Sequence, residues 1–460
     1  MPYLDHAATS LPKPPEVVAA MVAALSEAGN PSRGGHRYAT SAERVIDQAR
    51  LRVARLLGVQ DPRRIVFTLN GTDALNIAIH AVLGALPAAS ARPHVVTTVL
   101  EHNSITRPLE TLRAAGRIDV TRVRASAEGF VDPADVIAAI RPETALVAVT
   151  MASNALGTLQ PVEAIVKGVE GVTGVTGVTG VAGVAGVAGV TGAAGVAGVA
   201  GVARIAGAAR RAGARDTSSA ARAMGGSSIT RADGTDLGPL VLVDAAQVLG
   251  AVPVDLAALG ADLVACPGHK ALLGPMGTGI LYVGPRAMPS IDGAGSRLGV
   301  FRSGGTGGDS RLETMPPELP HRLEGGTPNV VGIAGLGAGA AWVAERGVEA
   351  IRAHEMALVQ RAIDGLGEIR GVGIVGPRDA ARRAGAVSIT IEGLDPLDAG
   401  AILDSSFDIA VRPGLHCAPG AHRAAGTFPH GTVRMSVGAT TIAGDVDAFV
   451  RAVAEIASVG

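Results

Sequence analysis

The chain has 460 residues, too many for one small domain, and a two-part body is the natural expectation. Its charge is nearly even, 40 Lys+Arg against 41 Asp+Glu, which argues against a polyanionic partner such as nucleic acid and against electrostatic membrane anchoring. With 2 cysteines, Cys266 and Cys417, there is no disulfide framework, and the start "MPYLDHAATS" lacks a signal-peptide pattern, so a soluble cytoplasmic protein is expected.

In chain order, "RIVFTL" reads as a strand and "GTDALNIAIHAVL" as an amphipathic helix, followed by the strand "HVVTTVL" and another helical stretch. "ALVAVTMAS" is the next apolar run. Then the pattern breaks. From 168 to 203 glycine recurs every third residue, mostly as Gly-Val-Thr and Gly-Val-Ala, with Glu170 the sole charge. That period fits neither strand nor helix, and each glycine costs a helix about 1 kcal/mol relative to alanine. A membrane span is a poor reading with so much glycine and threonine, and collagen fails for want of proline. Residues 168–238 are therefore expected to be an interrupted helix and loop insertion outside the active site, expanded from simple sequence. Alternation resumes with "LVLVDAAQ", "ADLVACPG" and "GILYVG".

Continuous Val/Leu/Ile runs separated by helices predict an α/β fold, a doubly wound and mainly parallel sheet covered on both faces. Ligands of such sheets bind beyond the strand C-termini. The unusual polar residues fall there: Gly71 and Thr72, Glu101 and His102, Asn154, Asp244 with Gln247, and His269 with Lys270. A lysine between two apolar segments is partly desolvated and so becomes a usable nucleophile toward an aldehyde. A buried Asp244 needs a cation, which a protonated pyridine nitrogen supplies. Free N–H groups at Gly71 and Thr72 suit a phosphate, and His102 can stack a flat ring. Amine, acid, anion site and stacking face together describe pyridoxal 5'-phosphate. Singly, each has a plainer reading: a snorkelling lysine, an ordinary N-cap, a turn aspartate or metal ligand, a structural histidine. The combination shifts the balance, and no metal ion is called for.

These residues sit in stretches that resemble the class V aminotransferase superfamily of fold-type I pyridoxal-phosphate enzymes, and within it the cysteine desulfurases and selenocysteine lyases. The matching stretches include "YLDHAATSLPKP", "FTLNGTDALNIAI", "LEHNSITRPLE", "SNALGTLQPV", "VLVDAAQ", "GHKALLGPMGTGILYV", "EGGTPNVVGIAGL", "AVRPGLHCAPGAH" and "VRMSVGATTIAGDVDAF". The resemblance implies a large cofactor-binding domain at 14–342 and a small α+β domain made of 1–13 with 343–460. It makes Lys270 the lysine that condenses with the cofactor aldehyde and Asp244 the partner of the pyridine nitrogen. His102 becomes the stacking residue, and Asn154 and Gln247 bond near the ring hydroxyl. Gly71, Thr72 and His269 serve the phosphate, with Thr327 reaching the phosphate of a neighbouring subunit in a homodimer. Arg434 clamps the substrate carboxylate, and Arg412 also faces the site.

Cys417 separates the candidate reactions. Its loop "RPGLHCAPGAH" matches the family's nucleophile loop, and His416 and Arg412 are neighbours expected to favour the thiolate. Cys266, inside an apolar run, reads as inert. The implied reaction converts L-cysteine to L-alanine, leaving a persulfide on Cys417 for a sulfur-acceptor protein. Pro267, Asn103 and Leu415 depart from the usual desulfurase residues, so alternatives stay open: a selenocysteine lyase, another class V reaction (transamination, epimerisation or β-elimination) that does not need Cys417, or a non-catalytic scaffold.

Overall fold

The computed structural model describes residues 1–31, 35–86, 92–173, 238–307 and 311–459. Eleven strands among the described residues form two sheets. The larger sheet contains β1 (Ile65–Thr68), β2 (His94–Thr98), β3 (Asp119–Val123), β4 (Thr144–Thr150), β5 (Leu240–Asp244), β6 (Leu263–Pro267) and β7 (Gly279–Val283), in the order β1-β7-β6-β5-β4-β2-β3. Strands β2 to β6 pair in parallel, as the apolar runs predict.

Alternate residues of each strand feed two separate cores. Val147, Val149, Val241, Val243 and Val264 face one, and Leu146, Ala148, Leu240, Leu242 and Leu263 face the other. Both faces are covered by helices, which is why the strands show no polar alternation. The helix Gly71–Gly84 packs on the second face through Ala74, Leu75, Ala78 and Val82.

Two features differ from the sequence reading. Strand β7 runs antiparallel to both β6 and β1. The connection carrying Lys270 is too short for the crossover that a parallel neighbour requires. Strand β3 was not foreseen, because "DVTRV" is an edge strand whose first four residues are partly or fully exposed.

The glycine repeat also begins differently from its expected form. The helix Val162–Thr173 runs through Gly168 and Gly171. Val162, Ile165, Val166 and Val169 are buried at helical spacing and outweigh the glycine cost. A Cβ on Gly168 would lie 2.0 Å from the end of the Ile137 side chain, so a larger residue there would push that side chain aside. The repeat beyond Thr173 lies outside the described residues.

The smaller sheet holds β8 (Val372–Val375), β9 (Ala386–Ile391), β10 (Arg412–Gly414) and β11 (Thr432–Ser436), all antiparallel, in the order β10-β11-β9-β8. Its core joins Val387, Ile389, Val433 and Met435 to Ile363, Leu403 and Phe449 of three helices, and to Leu4. The N-terminal segment is stitched to this sheet: Ser436 N–H donates to Leu4 O at 2.7 Å and Leu4 N–H to Ala410 O at 2.9 Å. Among the described residues no helix is long and apolar enough to cross a membrane.

Candidate functional site

A cavity of about 270 Å³ lies beyond the C-terminal ends of β1, β2, β4, β5 and β6. Gly71, Thr72, His102, Asn154, Asp244, Gln247, His269, Lys270, Arg412, Cys417 and Arg434 all line it. Of the residues singled out in the sequence, Glu101 does not line it, and Thr327 stands apart. It borders a separate, larger cleft of about 1010 Å³ with Arg50 and Glu324.

Lys270 follows β6 in the turn toward β7. Its amine has neither a hydrogen-bond nor an ion-pair partner among the described residues. Burial brings it down to about 8, with nearby Asp244 pulling the other way. Asp244 ends β5, is 4% exposed, and accepts one bond on Oδ1, from Ala246 N–H at 3.0 Å. Burial pushes its carboxyl up, opposed by the Ala246 N–H and then by Lys270. Acid and amine therefore sit in one pocket, each short of partners.

His102 is the N-cap of the helix Asn103–Ala114. Its Nδ1 accepts Ser104 N–H at 3.1 Å, which fixes that nitrogen as an acceptor. The Ser104 hydroxyl, 2.8 Å away, then donates to it as well. Thr72 Oγ1, 2.7 Å from Ser104 Oγ, supplies its own proton in turn. Burial, and next the Lys270 charge, push His102 down to about 4, so its ring is neutral. The Gly71 and Thr72 N–H groups precede the first intrahelical bond and remain open for an anion. A Cβ at Gly71 would sit 3.1 Å from Pro267, so the helix start packs tightly against β6. His269 carries a buried Nδ1 without a partner.

The smaller sheet supplies the opposite wall. Arg412 and Arg434 are cross-strand neighbours on β10 and β11. Asp5 lies between them: Arg412 donates Nη2 to Asp5 Oδ2 at 2.8 Å, and Arg434 donates Nη2 to Oδ1 at 2.9 Å. Arg434 also donates Nη1 to Asn154 O at 2.8 Å, while its buried Nε has no partner. The clamp read from the sequence is thus already braced by a carboxylate. Asp5 was not foreseen; its partners lie more than 400 residues away, and an aspartate in "YLDHAATS" gives no local sign of them.

Cys417 is exposed and lies between β10 and the helix Pro419–Ala424. Both His416 (φ +51°) and Cys417 (φ +56°) adopt the left-handed conformation that non-glycine residues rarely take. Their carbonyls are anchored, that of His416 by Asn154 Nδ2 and that of Cys417 by Asn103 N–H at 2.8 Å. Arg412 lies near Cys417. His416 does not play the part expected of it. Its ring turns inward, with Nε2 2.9 Å from Arg412 O and Nδ1 3.2 Å from His422 Nε2. Burial pushes it down to about 3, so it offers the thiol no positive charge. Cys266 is buried and its thiol is raised by burial, in keeping with an inert residue.

Comparison with known proteins agrees with this layout. The aminotransferase class-V family model matches residues 2–185 and 232–449, and its break falls within the insertion. A probable cysteine desulfurase of Methanothermobacter thermautotrophicus is 32% identical over 461 residues, covering 100% of this chain and 95% of that protein. A cysteine desulfurase of Dickeya dadantii is 28% identical, covering 90% and 82%. Among solved structures, the apo cysteine desulfurase of Thermococcus onnurineus NA1 superposes with a TM-score of 0.77 at 28% identity, covering 100% of this chain and 95% of that one. The expected fold type I architecture, a large doubly wound sheet with a smaller α+β part, is present. The chain belongs to the aminotransferase class-V family.

Proposed function

We propose that the protein is a pyridoxal-5'-phosphate-dependent cysteine desulfurase that converts L-cysteine to L-alanine and takes the sulfur as a persulfide on Cys417. The observation that carries this reading is the pairing, in one cavity, of the unpartnered Lys270 amine with an exposed, anchored Cys417. The curated relatives named as cysteine desulfurases support it.

The residues fit the cofactor. Lys270 would hold its aldehyde and Asp244 its ring nitrogen. His102 would cover the ring, and the Gly71 and Thr72 N–H groups, with His269, would take the phosphate. Asn154 and Gln247 would bond near the ring hydroxyl. When bound, the cofactor supplies a sink for the electron pair left at the substrate α-carbon. Lys270, lowered to about 8, would accept the α-proton at its Nζ. Arg434, oriented by Asp5 and Asn154 O, holds the substrate carboxylate together with Arg412. The Cys417 thiolate attacks the substrate sulfur. The S–S bond forms as Cβ–S breaks, its electron pair returns to the carbon skeleton, and protonation completes alanine. The persulfide then passes to a sulfur-acceptor protein.

Two arrangements belong to the same proposal. The chain divides into a large part at 14–342 and a small part at 1–13 with 343–460, placing the site in the cleft between them. A homodimer brings Thr327, remote from its own pocket, to the phosphate of the neighbouring subunit.

Incubation with L-cysteine and a thiol reductant should give alanine and sulfide in equal amounts, and both should vanish in Cys417→Ser. Alanine formation that persists in Cys417→Ser contradicts the persulfide route, and selenocysteine cleavage surviving there favours the lyase reading.

A further inference from the structure

Behind Lys270 lies a second cavity of about 40 Å³, bordered by His6, Ser10, Gln247, Lys270, Ser436 and Glu355. Lys270 and Gln247 border both this cavity and the substrate pocket, so the lysine stands in the wall between them. Glu355 is 3% exposed, and its carboxyl has no hydrogen-bond partner among the described residues. It comes from the helix Val348–Gly367, whose apolar side builds the small-sheet core, and the charge that acts on it is that of Arg352, one turn earlier. The lining is mostly apolar, but these polar groups border it and its volume exceeds the roughly 10–15 Å³ needed to hold a water. A partner for it is at hand: Gln247 donates Nε2 to Ala7 O at 3.1 Å, which leaves its Oε1 available.

We propose that water held in this chamber carries protons between the Glu355 carboxyl and the Lys270 amine. A proton leaves the Lys270 ammonium for an adjacent water while the water beside Glu355 gives one to the carboxylate. The return passage reverses this, and no electrons move. Lys270 is thereby reset from behind, without opening the substrate pocket to solvent. Burial lowers the lysine and, against the pull of Arg352, raises Glu355, so the two groups move toward each other. The proposal rests on Lys270 being the group that takes the α-proton.

Two variants test it. Glu355→Gln keeps the side-chain volume and removes the titrating group; Ala439→Leu fills the chamber from its lining and leaves the carboxyl in place. In the cofactor-free protein, infrared spectroscopy should show a carboxylic-acid band that shifts promptly in deuterated water and is missing in Glu355→Gln. With cofactor bound, exchange of the alanine α-proton with solvent deuterium should slow by at least about tenfold in both variants, with KM for alanine unchanged. A band whose proton does not exchange over hours, or wild-type exchange rates in both variants, overturns the relay alone. A wild-type protein that exchanges no α-proton overturns the assignment of Lys270 and the relay with it.

Discussion

The two walls of the pocket are built on opposite principles. Along the large sheet, the half-buried Lys270 and the buried Asp244 have bonding capacity to spare, Asp244 ending β5 and Lys270 lying just beyond β6. On the small-sheet wall the charged groups are already largely paired: Asp5 ties Arg412 to Arg434, Asn154 joins Arg434 to the His416 carbonyl, and Asn103 holds Cys417. Buried charges without partners are costly. The first wall therefore presents a ligand-shaped deficit, and the second a preformed frame that positions what arrives. A substitution should fail differently on each wall: loss of chemistry on the first, loss of order on the second.

Lys270→Ala is the severest break. It should abolish the visible absorbance of the cofactor–lysine adduct and lower alanine formation by about 10³-fold, the scale of a lost general base, with the melting temperature kept or raised. Asp5→Ala strikes the frame instead. Two facing guanidiniums, one of them 2% exposed, would lose their shared anion, at a cost of about 3 kcal/mol by thermal unfolding. KM for L-cysteine should rise more than kcat falls, because the cofactor wall is untouched. Ser104→Ala removes the link between Thr72 and His102. It should cost about 1 kcal/mol and loosen cofactor retention in dialysis.

A pH-dependent effect concerns Glu101, next to His102 in the chain. It accepts Thr98 Oγ1–H at 2.7 Å and Thr150 N–H at 3.2 Å on Oε1, while Oε2 is buried without a partner. Burial raises it from the ordinary 4.5 to about 8. The folded state then holds a proton that the unfolded chain gives up, so stability declines as pH climbs from about 4.5 to about 8 and levels off above. In Glu101→Gln, urea midpoints measured across that range should decline less steeply than in the wild type. An identical slope would place the proton elsewhere.

The same contrast explains what the sequence disclosed. Each residue of the large-sheet wall closes an apolar run, so strand prediction alone brings Thr72, His102, Asp244 and Lys270 to one edge. The frame depends on pairs hundreds of residues apart, which no local pattern reports; Asp5 and the inward turn of His416 went unread for that reason. Ser104 was hidden in a different way, as an ordinary polar residue in the first turn of a helix. The antiparallel β7 was legible in principle, from the shortness of the segment around Lys270. The edge strand β3 was not, because its half-exposed residues lack the apolar run that marked the others.

The account turns on sulfur arriving at one thiol. After a single turnover with L-cysteine in the absence of reductant, mass spectrometry of the protein should find one added sulfur atom per chain, located on the peptide bearing Cys417, in an amount equal to the alanine released. Alanine release with that peptide unmodified, or an added sulfur found on Cys266, would contradict it.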